Sequence, residues 1–80
     1  MINIEILFFG KLKEIWGTKQ IHMQTDCQTI ESLYQELLKK LPEQPHKDSI
    51  KVAINDEFAS WNSAIHENDS IAFLPPASGG

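Results

Sequence analysis

The residues of this chain whose type and position suggest chemistry are the two glycines that end it. Gly79 and Gly80 follow a Pro75-Pro76 pair, which stiffens the backbone and cannot donate to a strand ladder. Glycine has no side chain, so a Gly-Gly end can pass through a channel too narrow for a Cβ atom. The stretch from Pro75 to Gly80 reaches at most ~20 Å when extended. The pattern predicts a tail that enters the active site of another protein with the Gly80 carboxylate as the working group; the alternative is an ordinary frayed terminus.

Other side chains that could do chemistry do not form a set. The three histidines fall in different predicted elements, so we expect surface positions rather than a metal site; they are His22, His46 and His66. The single Cys27 cannot form an internal disulfide and suits a small residue near a helix start. Asp56-Glu57 is typical of a turn, and Trp61 of the edge of a core. No independent catalytic set is therefore predicted.

The elements that position the tail begin with a strand over Ile2–Phe9. Apolar residues recur there with the period of two that a strand with one buried face requires. The predicted core face consists of Ile2, Ile4, Ile6 and Phe8. The opposite face turns apolar at Leu7 and Phe9, which a face in water does not need.

A short helical turn and a second strand are predicted next. Leu12, Ile15 and Trp16 are spaced as one face of a helical turn, and Gly17 suits a left-handed C-terminal cap. The segment from Lys19 to Thr25 then predicts a strand beside the first.

The main helix is the strongest local prediction. Apolar residues recur at helical spacing over three turns, at Ile30, Leu33, Tyr34, Leu37, Leu38 and Leu41. Thr29 suits the N-cap, and Pro42 prevents the helix from continuing. Glu31 suits the positive N-terminal end, and Lys39 and Lys40 suit the negative C-terminal end.

Three short strands are predicted after the helix. They are the alternating Ile50, Val52 and Ile54, the return Glu57 to Ser60, and Ser70 to Leu74 with Ile71 and Phe73 facing the core. Asn55-Asp56 suits a tight hairpin, because both residue types tolerate positive φ. Glu67-Asn68-Asp69 predicts a second turn.

The order strand, strand, helix, strand, strand, strand is that of the β-grasp (ubiquitin-like) fold. We expect an α+β chain with a mixed sheet of about five strands packed on one main helix. The predicted division is a β-grasp domain over residues 1–74 and a flexible tail over residues 75–80. A chain of this length buries only roughly 60% of its unfolded surface, which leaves little apolar area for a deep catalytic pocket. A carrier or binding role is therefore favoured over a self-sufficient enzyme.

An apolar docking face is predicted where the tail leaves the sheet. In a β-grasp sheet the first and last strands are parallel neighbours, so Phe9 and Leu74 emerge on the same outer face. Phe58, just after the hairpin turn, extends this face, and Pro75 and Pro76 continue it. Aromatic and aliphatic anchors of this kind are favoured in interfaces. The alternative is that Phe9 packs under the helical turn that follows it.

Composition and charge exclude several kinds of partner. The chain is 41% hydrophobic and 22% charged, with a net charge of −4, and it has no basic stripe for nucleic acid. No stretch reaches the ~20 apolar residues of a membrane span. The N-terminal apolar run contains Glu5 and has no basic flank, so export is not expected. We expect a cytoplasmic protein.

Two segments carry a family resemblance. The run from Asn68 to Gly80, NDSIAFLPPASGG, is similar to the C-terminal signature of molybdopterin synthase small subunits. The run from Phe8 to Gly17, FFGKLKEIWG, also resembles theirs, and the similarity in pattern covers nearly the whole chain. Asn68 stands where the family usually has Gly, and Ile71 and Ala77 where Val is common. Asn is the non-glycine residue that best tolerates a left-handed turn.

The resemblance implies a sulfur carrier whose reactive residues are Gly79 and Gly80. An adenylating enzyme would use ATP to join the Gly80 carboxylate to AMP, and a persulfide sulfur would displace AMP to leave a thiocarboxylate. The thiocarboxylate would supply sulfur to cyclic pyranopterin monophosphate, in the active site of the large subunit, to form molybdopterin. The implied assembly is a heterotetramer of two small and two large subunits. The chain itself would bind no cofactor and would not be an enzyme alone.

Two other functions share the fold and the Gly-Gly end. One is a sulfur carrier for thiamin thiazole synthesis, but this function does not explain the run from Leu74 to Ser78. A ubiquitin-like modifier or interaction domain would join Gly80 to a target lysine or leave it unmodified.

Overall fold

The computed structural model describes residues 1–39 and 49–75 of the chain. Within them the chain forms five strands and two helices. In chain order these are β1 (Ile2–Phe8), α1 (Lys11–Trp16), β2 (Gln20–Thr25), α2 (Ile30–Leu38), β3 (Lys51–Ile54), β4 (Glu57–Ala59) and β5 (Ser70–Leu74).

The five strands form one mixed sheet in the order β2-β1-β5-β3-β4. β1 and β5 are parallel neighbours, with Phe8 opposite Phe73, and the other neighbouring pairs are antiparallel. This is the β-grasp fold that the element order predicts. The N-terminal strand and the strand that leads into the tail therefore lie side by side at the centre of the sheet.

The core lies between one face of the sheet and α2. β1 contributes Ile4, Ile6 and Phe8, and β5 contributes Ile71 and Phe73, all buried. The helix contributes Ile30, Leu33, Tyr34, Leu37 and Leu38, also buried. Aromatic rings fill the end of the core nearest the tail, with ring centroids 4.7 Å apart for Phe8 and Trp16 and 5.4 Å apart for Tyr34 and Phe73. Trp61 packs against Tyr34 at 5.0 Å, which confirms its predicted place at the core edge.

Helix α2 begins with the cap that the sequence predicts. The Thr29 side chain accepts a hydrogen bond from the Ser32 backbone N–H, and the Ser32 hydroxyl accepts one from the Thr29 N–H. The two residues form a capping box that satisfies two donors at the helix start. Glu31 lies in the first turn as predicted. The helix ends at Leu38 with Lys39 as its cap, whereas the predicted Lys40, Leu41 and Pro42 lie outside the described residues.

The predicted turns have the positive φ that their residue types suggest. Asn55 and Asp56 have φ of 51° and 73°, the pair of values that a two-residue hairpin between twisted strands requires. Asn68 has a φ of 67°, and Gly17 caps α1 with a φ of 76°. Asn68 thus adopts the left-handed backbone conformation at the position where the family named in the sequence analysis usually has Gly.

Some predictions about bounds and burial are wrong in detail. The first four strands are each one residue shorter than predicted, because Phe9, Lys19, Ile50 and Ser60 lie just outside them. Ile15 is 37% exposed, since α1 has only six residues and turns this side chain away from the sheet. Ile2 and Ile54 are only half-buried, because each lies at an end of its strand.

Candidate functional site

The tail leaves the sheet at the end of its central pair of strands. β5 ends at Leu74, and Pro75 follows it without a backbone N–H that could extend the ladder. The Phe9 N–H donates to the Phe73 carbonyl at 3.3 Å, so β1 and β5 stay paired up to the exit. Pro76, Gly79 and Gly80 lie outside the described residues. The roles predicted for these three residues, and the division between domain and tail, stay predictions.

An apolar patch covers the outer face of the sheet next to this exit. Phe9 is 44% exposed and Phe58 is 81% exposed, so the alternative in which Phe9 packs under α1 is wrong. One shallow groove on this face is lined by Asp56 and by six apolar residues, and we define the outer-face patch by those six, Leu7, Phe9, Ala53, Phe58, Ala72 and Leu74. The patch draws on β1, β3, β4 and β5. Its exposure fits the predicted docking face, whose binding role stays a prediction.

The sheet register explains why these residues meet. Leu7 lies opposite Ala72 across the β1–β5 pair, and Ala53 lies opposite both Ala72 and Phe58. The alanines leave room for the larger side chains around them. Sequence reasoning missed Ala53 and Ala72, although each holds an apolar position on the outer face of its strand, which could have identified them.

The other half of the same outer face is polar and internally hydrogen-bonded. Glu5 accepts hydrogen bonds from Gln20 Nε2 at 2.6 Å and from Ser70 Oγ at 2.9 Å. His22 Nε2 lies 3.1 Å from the same carboxylate. These contacts satisfy the Glu5 oxygens within the sheet. The outer face is therefore divided into a polar half and an apolar half, and the tail exit belongs to the apolar half.

Polar contacts also anchor the turn that precedes β5. Asn3 donates to Glu67 through its backbone N–H at 3.1 Å and its side-chain amide at 2.8 Å. These hydrogen bonds lower the pKa of Glu67, because they favour the charged carboxylate. Asn55 Nδ2 donates to Asp69 at 2.9 Å, and the Ser70 N–H donates to Asn55 Oδ1 at 2.9 Å. The segment before β5 is thus fixed to β1 through Asn3 and to the turn between β3 and β4 through Asn55.

Two of the three histidines lie on the surface, as expected. His22 and His66 are exposed, and His46 lies outside the described residues. Over residues 1–39 and 49–75, no cluster of three or more His, Cys, Asp or Glu side chains could hold a metal ion. Cys27 is half-buried just before α2. Within those same ranges, no helix is long and apolar enough to cross a membrane.

Sequence comparison identifies proteins related to this chain. The sequence matches the ThiS family over residues 6–80. The molybdopterin synthase sulfur carrier subunit of Haemophilus influenzae is 32% identical to this chain in an alignment that covers 96% of this chain and 99% of that subunit.

Solved structures agree on the fold. The structure of SAMP1 from Haloferax volcanii superposes with a TM-score of 0.79 at 26% identity, covering 98% of this chain and 99% of that one. One chain in the complex of subunits 1 and 2 of the molybdopterin-converting factor from Helicobacter pylori has a TM-score of 0.71 at 24% identity, covering 99% of this chain and all of the matched chain.

Fold and tail exit together define a ubiquitin-like protein with an exposed apolar patch beside its C-terminal strand. The sequence match extends from β1 to the last residue of the tail. The chain belongs to the ThiS family, and its curated relatives include molybdopterin synthase sulfur carrier subunits from bacteria, plants and animals.

Proposed function

We propose that this chain is the sulfur carrier subunit of a molybdopterin synthase. The observation that carries the proposal is the match over nearly its full length to the Haemophilus influenzae sulfur carrier subunit. The position of Leu74 supports it, because β5 ends there at the edge of the outer-face patch. The globular body docks, and the tail carries the reactive group.

The reactive group is the Gly80 carboxylate. A carboxylate is a poor acyl donor, so an activating enzyme first joins one of its oxygens to the α-phosphorus of ATP and releases pyrophosphate. The terminal sulfur of a persulfide then attacks the acyl carbon and displaces AMP. A thiol cleaves the resulting acyl disulfide, and the thiocarboxylate remains on Gly80. Gly79, with no side chain, lets this end approach a narrow site.

The partner that receives the tail is the large subunit of the synthase. The Helicobacter pylori structure is described as a complex of subunits 1 and 2 of the molybdopterin-converting factor, which supports a two-component assembly here. Two small and two large subunits form the working tetramer. There the thiocarboxylate sulfur passes to cyclic pyranopterin monophosphate, and the spent carboxylate returns to the activating enzyme. This cycle takes place in the cytoplasm.

Removal of Gly80 is the direct test of this assignment. We expect the chain that lacks Gly80, and a chain with one residue added after it, to fold normally and to form no molybdopterin. The predicted domain ends at Leu74, well before Gly80, whereas the chemistry requires the carboxylate at one fixed distance from the docked body. Thermal melts of the free chains provide the control for folding. Molybdopterin formation by the chain lacking Gly80 would refute the proposal.

A ubiquitin-like modifier is the second candidate, favoured by the 26% identity to SAMP1, a small archaeal modifier protein by name. The same activated Gly80 would then form an isopeptide bond with a lysine of a target protein. Mass spectrometry of tryptic digests from the source cells separates the two functions. Trypsin cleaves last after Lys51, so residues 52–80 found attached to target lysines favour the modifier.

A further inference from the structure

The tail exit contains a close contact that neither the fold nor the proposed chemistry explains. Gly10 lies between β1 and α1 with a φ of 54° and a ψ of −130°. A Cβ atom added at Gly10 would lie 2.9 Å from Cγ of Pro75 and 3.7 Å from its Cδ. Carbon atoms that are not bonded to each other do not approach to 2.9 Å without displacement. The missing side chain of Gly10 therefore leaves the space that the Pro75 ring occupies.

Both sides of this contact are held in place. The Gly10 carbonyl accepts from the Lys13 N–H at 3.1 Å, and the Phe9 carbonyl accepts from the Leu12 N–H at 3.1 Å, in the first turn of α1. On the other side, Leu74 is paired with Lys51 in the β3–β5 ladder. Movement of Gly10 would break the first-turn hydrogen bonds, and movement of Leu74 would disturb its pairing with Lys51. A side chain at position 10 would therefore displace the Pro75 ring.

The two consecutive prolines restrict the backbone dihedral angles at the start of the tail. The Pro75 ring fixes its own φ, and a residue that precedes proline is confined to extended conformations. Leu74 and Pro75 both precede a proline. A displacement of the Pro75 ring is thus passed along the tail rather than absorbed at the next bond.

We propose that Gly10 is a positioning residue that seats the Pro75 ring and so sets the direction in which the tail leaves the sheet beside the outer-face patch. Its contribution is the absence of a side chain at a backbone conformation that favours glycine. The inference rests on the proposed function, because the direction of the tail matters only if Gly80 must reach a partner's active site.

The contact itself can be tested without any activity. In the NMR spectrum of the full chain, we expect nuclear Overhauser cross-peaks between the Gly10 Hα protons and the ring protons of Pro75. Their absence in the folded protein would overturn the proposal, whatever the chain does in cells.

The functional role is tested with a double-mutant cycle and a matched control. The variants are Gly10→Ala, Pro75→Ala, the combination of both, and Gly17→Ala. Gly17 also has a positive φ, of 76°, but an added Cβ there meets nothing within 4 Å. Gly17→Ala therefore tests a positive φ without the collision, in an αL conformation that strains an alanine less than the φ of 54° and ψ of −130° at Gly10. Pro75→Ala removes the ring atoms with which a Cβ at position 10 collides, so the backbone strain of Gly10→Ala remains in that background and the coupling isolates the collision.

We measure single-turnover sulfur transfer from the thiocarboxylate form of each variant to cyclic pyranopterin monophosphate, with saturating large subunit and at a temperature where every variant is folded. Misplaced reacting groups lose rate steeply, so Gly10→Ala should slow transfer by about tenfold when residue 75 is proline. The same substitution in the Pro75→Ala background should change the rate by less than about twofold, as should Gly17→Ala alone. A merely structural role would lower the melting temperature without this coupling.

Two results would overturn the positioning role. One is equal rates for Gly10→Ala and Gly17→Ala. The other is a double variant whose loss is the product of the two single losses. Failure of the proposed function looks different, because then even the unmodified chain acquires no thiocarboxylate or transfers no sulfur.

Discussion

Phe9 and Phe58 are large apolar side chains that remain in contact with water. Single exposed apolar residues are common, but a contiguous group at the end of a sheet marks a surface that another protein covers. Phe9 and Phe58 belong to one patch with Leu7 and Leu74. At the scale of single residues, they are the anchors of the proposed interface.

Replacing Phe9 with lysine should weaken binding to the large subunit and leave the free chain folded. A buried aromatic anchor contributes about 2 kcal/mol or more to binding, which corresponds to roughly a thirtyfold change in affinity. The desolvated lysine adds a further penalty. Calorimetric titration against the large subunit measures the effect. Ile15→Lys is the matched control, because Ile15 is also exposed but is not part of the patch; equal losses for the two variants would contradict the assignment.

Tyr34 should titrate far from the ordinary value of a tyrosine. Burial raises its pKa from 10.0 to about 12, because the low-dielectric core disfavours the phenolate. The folded state therefore holds the phenolic proton more tightly than the unfolded state does. The stability that this contributes is complete below pH 10 and is lost as the pH rises through 12, a loss on the order of 3 kcal/mol.

The measurement is the ultraviolet absorbance of the phenolate, and Tyr34 is the only tyrosine in the chain. The folded protein should show a midpoint near pH 12, and the chain in denaturant a midpoint near 10. A midpoint near 10 in the folded protein would place the Tyr34 ring in water.

At the scale of elements, the packing of helix α2 on the sheet can be tested by its effect on stability. Leu37 is 3% exposed, and truncating a buried leucine costs about 2–5 kcal/mol in transfer and cavity terms. Leu37→Ala should therefore lower the free energy of unfolding by that amount, as measured by urea denaturation. Gln35→Ala on the exposed face of the same helix is the control, with an expected change within about 0.5 kcal/mol. Similar changes for the two variants would mean that the helix is rotated about its axis.

Local pattern predicted most elements, because each follows from a short-range cause. Three features each determine the structure of the few residues around them. They are the apolar stripe from Ile30 to Leu38, the positive φ of Asn55 and Asp56, and the proline after Leu74. The burial of Ile15 and Ile54 was less predictable, since it depends on where each element stops against its neighbours. The Thr29 cap was predicted, but its Ser32 partner was not.

The site was predictable only in part, because its residues are far apart in the sequence and meet only in the folded sheet. Phe9 and Leu74 meet because β1 and β5 pair in parallel, and that pairing followed from the expected fold rather than from either segment. The patch residues Ala53 and Ala72 depend on register, which periodicity alone does not fix. The contact between Gly10 and Pro75 required coordinates, because no spacing rule connects these two residues.

At the scale of the whole molecule, one end of the sheet combines a chain exit with an apolar surface. The parallel β1–β5 pair places the exit at the centre of the sheet, and the polar contacts of Glu5 occupy the opposite end of the outer face. This arrangement suits a body that docks by one half of a face and projects its C-terminus into the partner.

The account therefore depends most directly on the chemical state of Gly80. The decisive measurement is the intact mass of the protein isolated from its own cells without exposure to reductants or alkylating agents, followed by fragmentation of the C-terminal peptide. We predict a population whose mass is higher by the difference between one sulfur and one oxygen atom, with the change located on Gly80. Only the unmodified carboxylate, in cells that are actively making molybdopterin, would contradict the sulfur-carrier function.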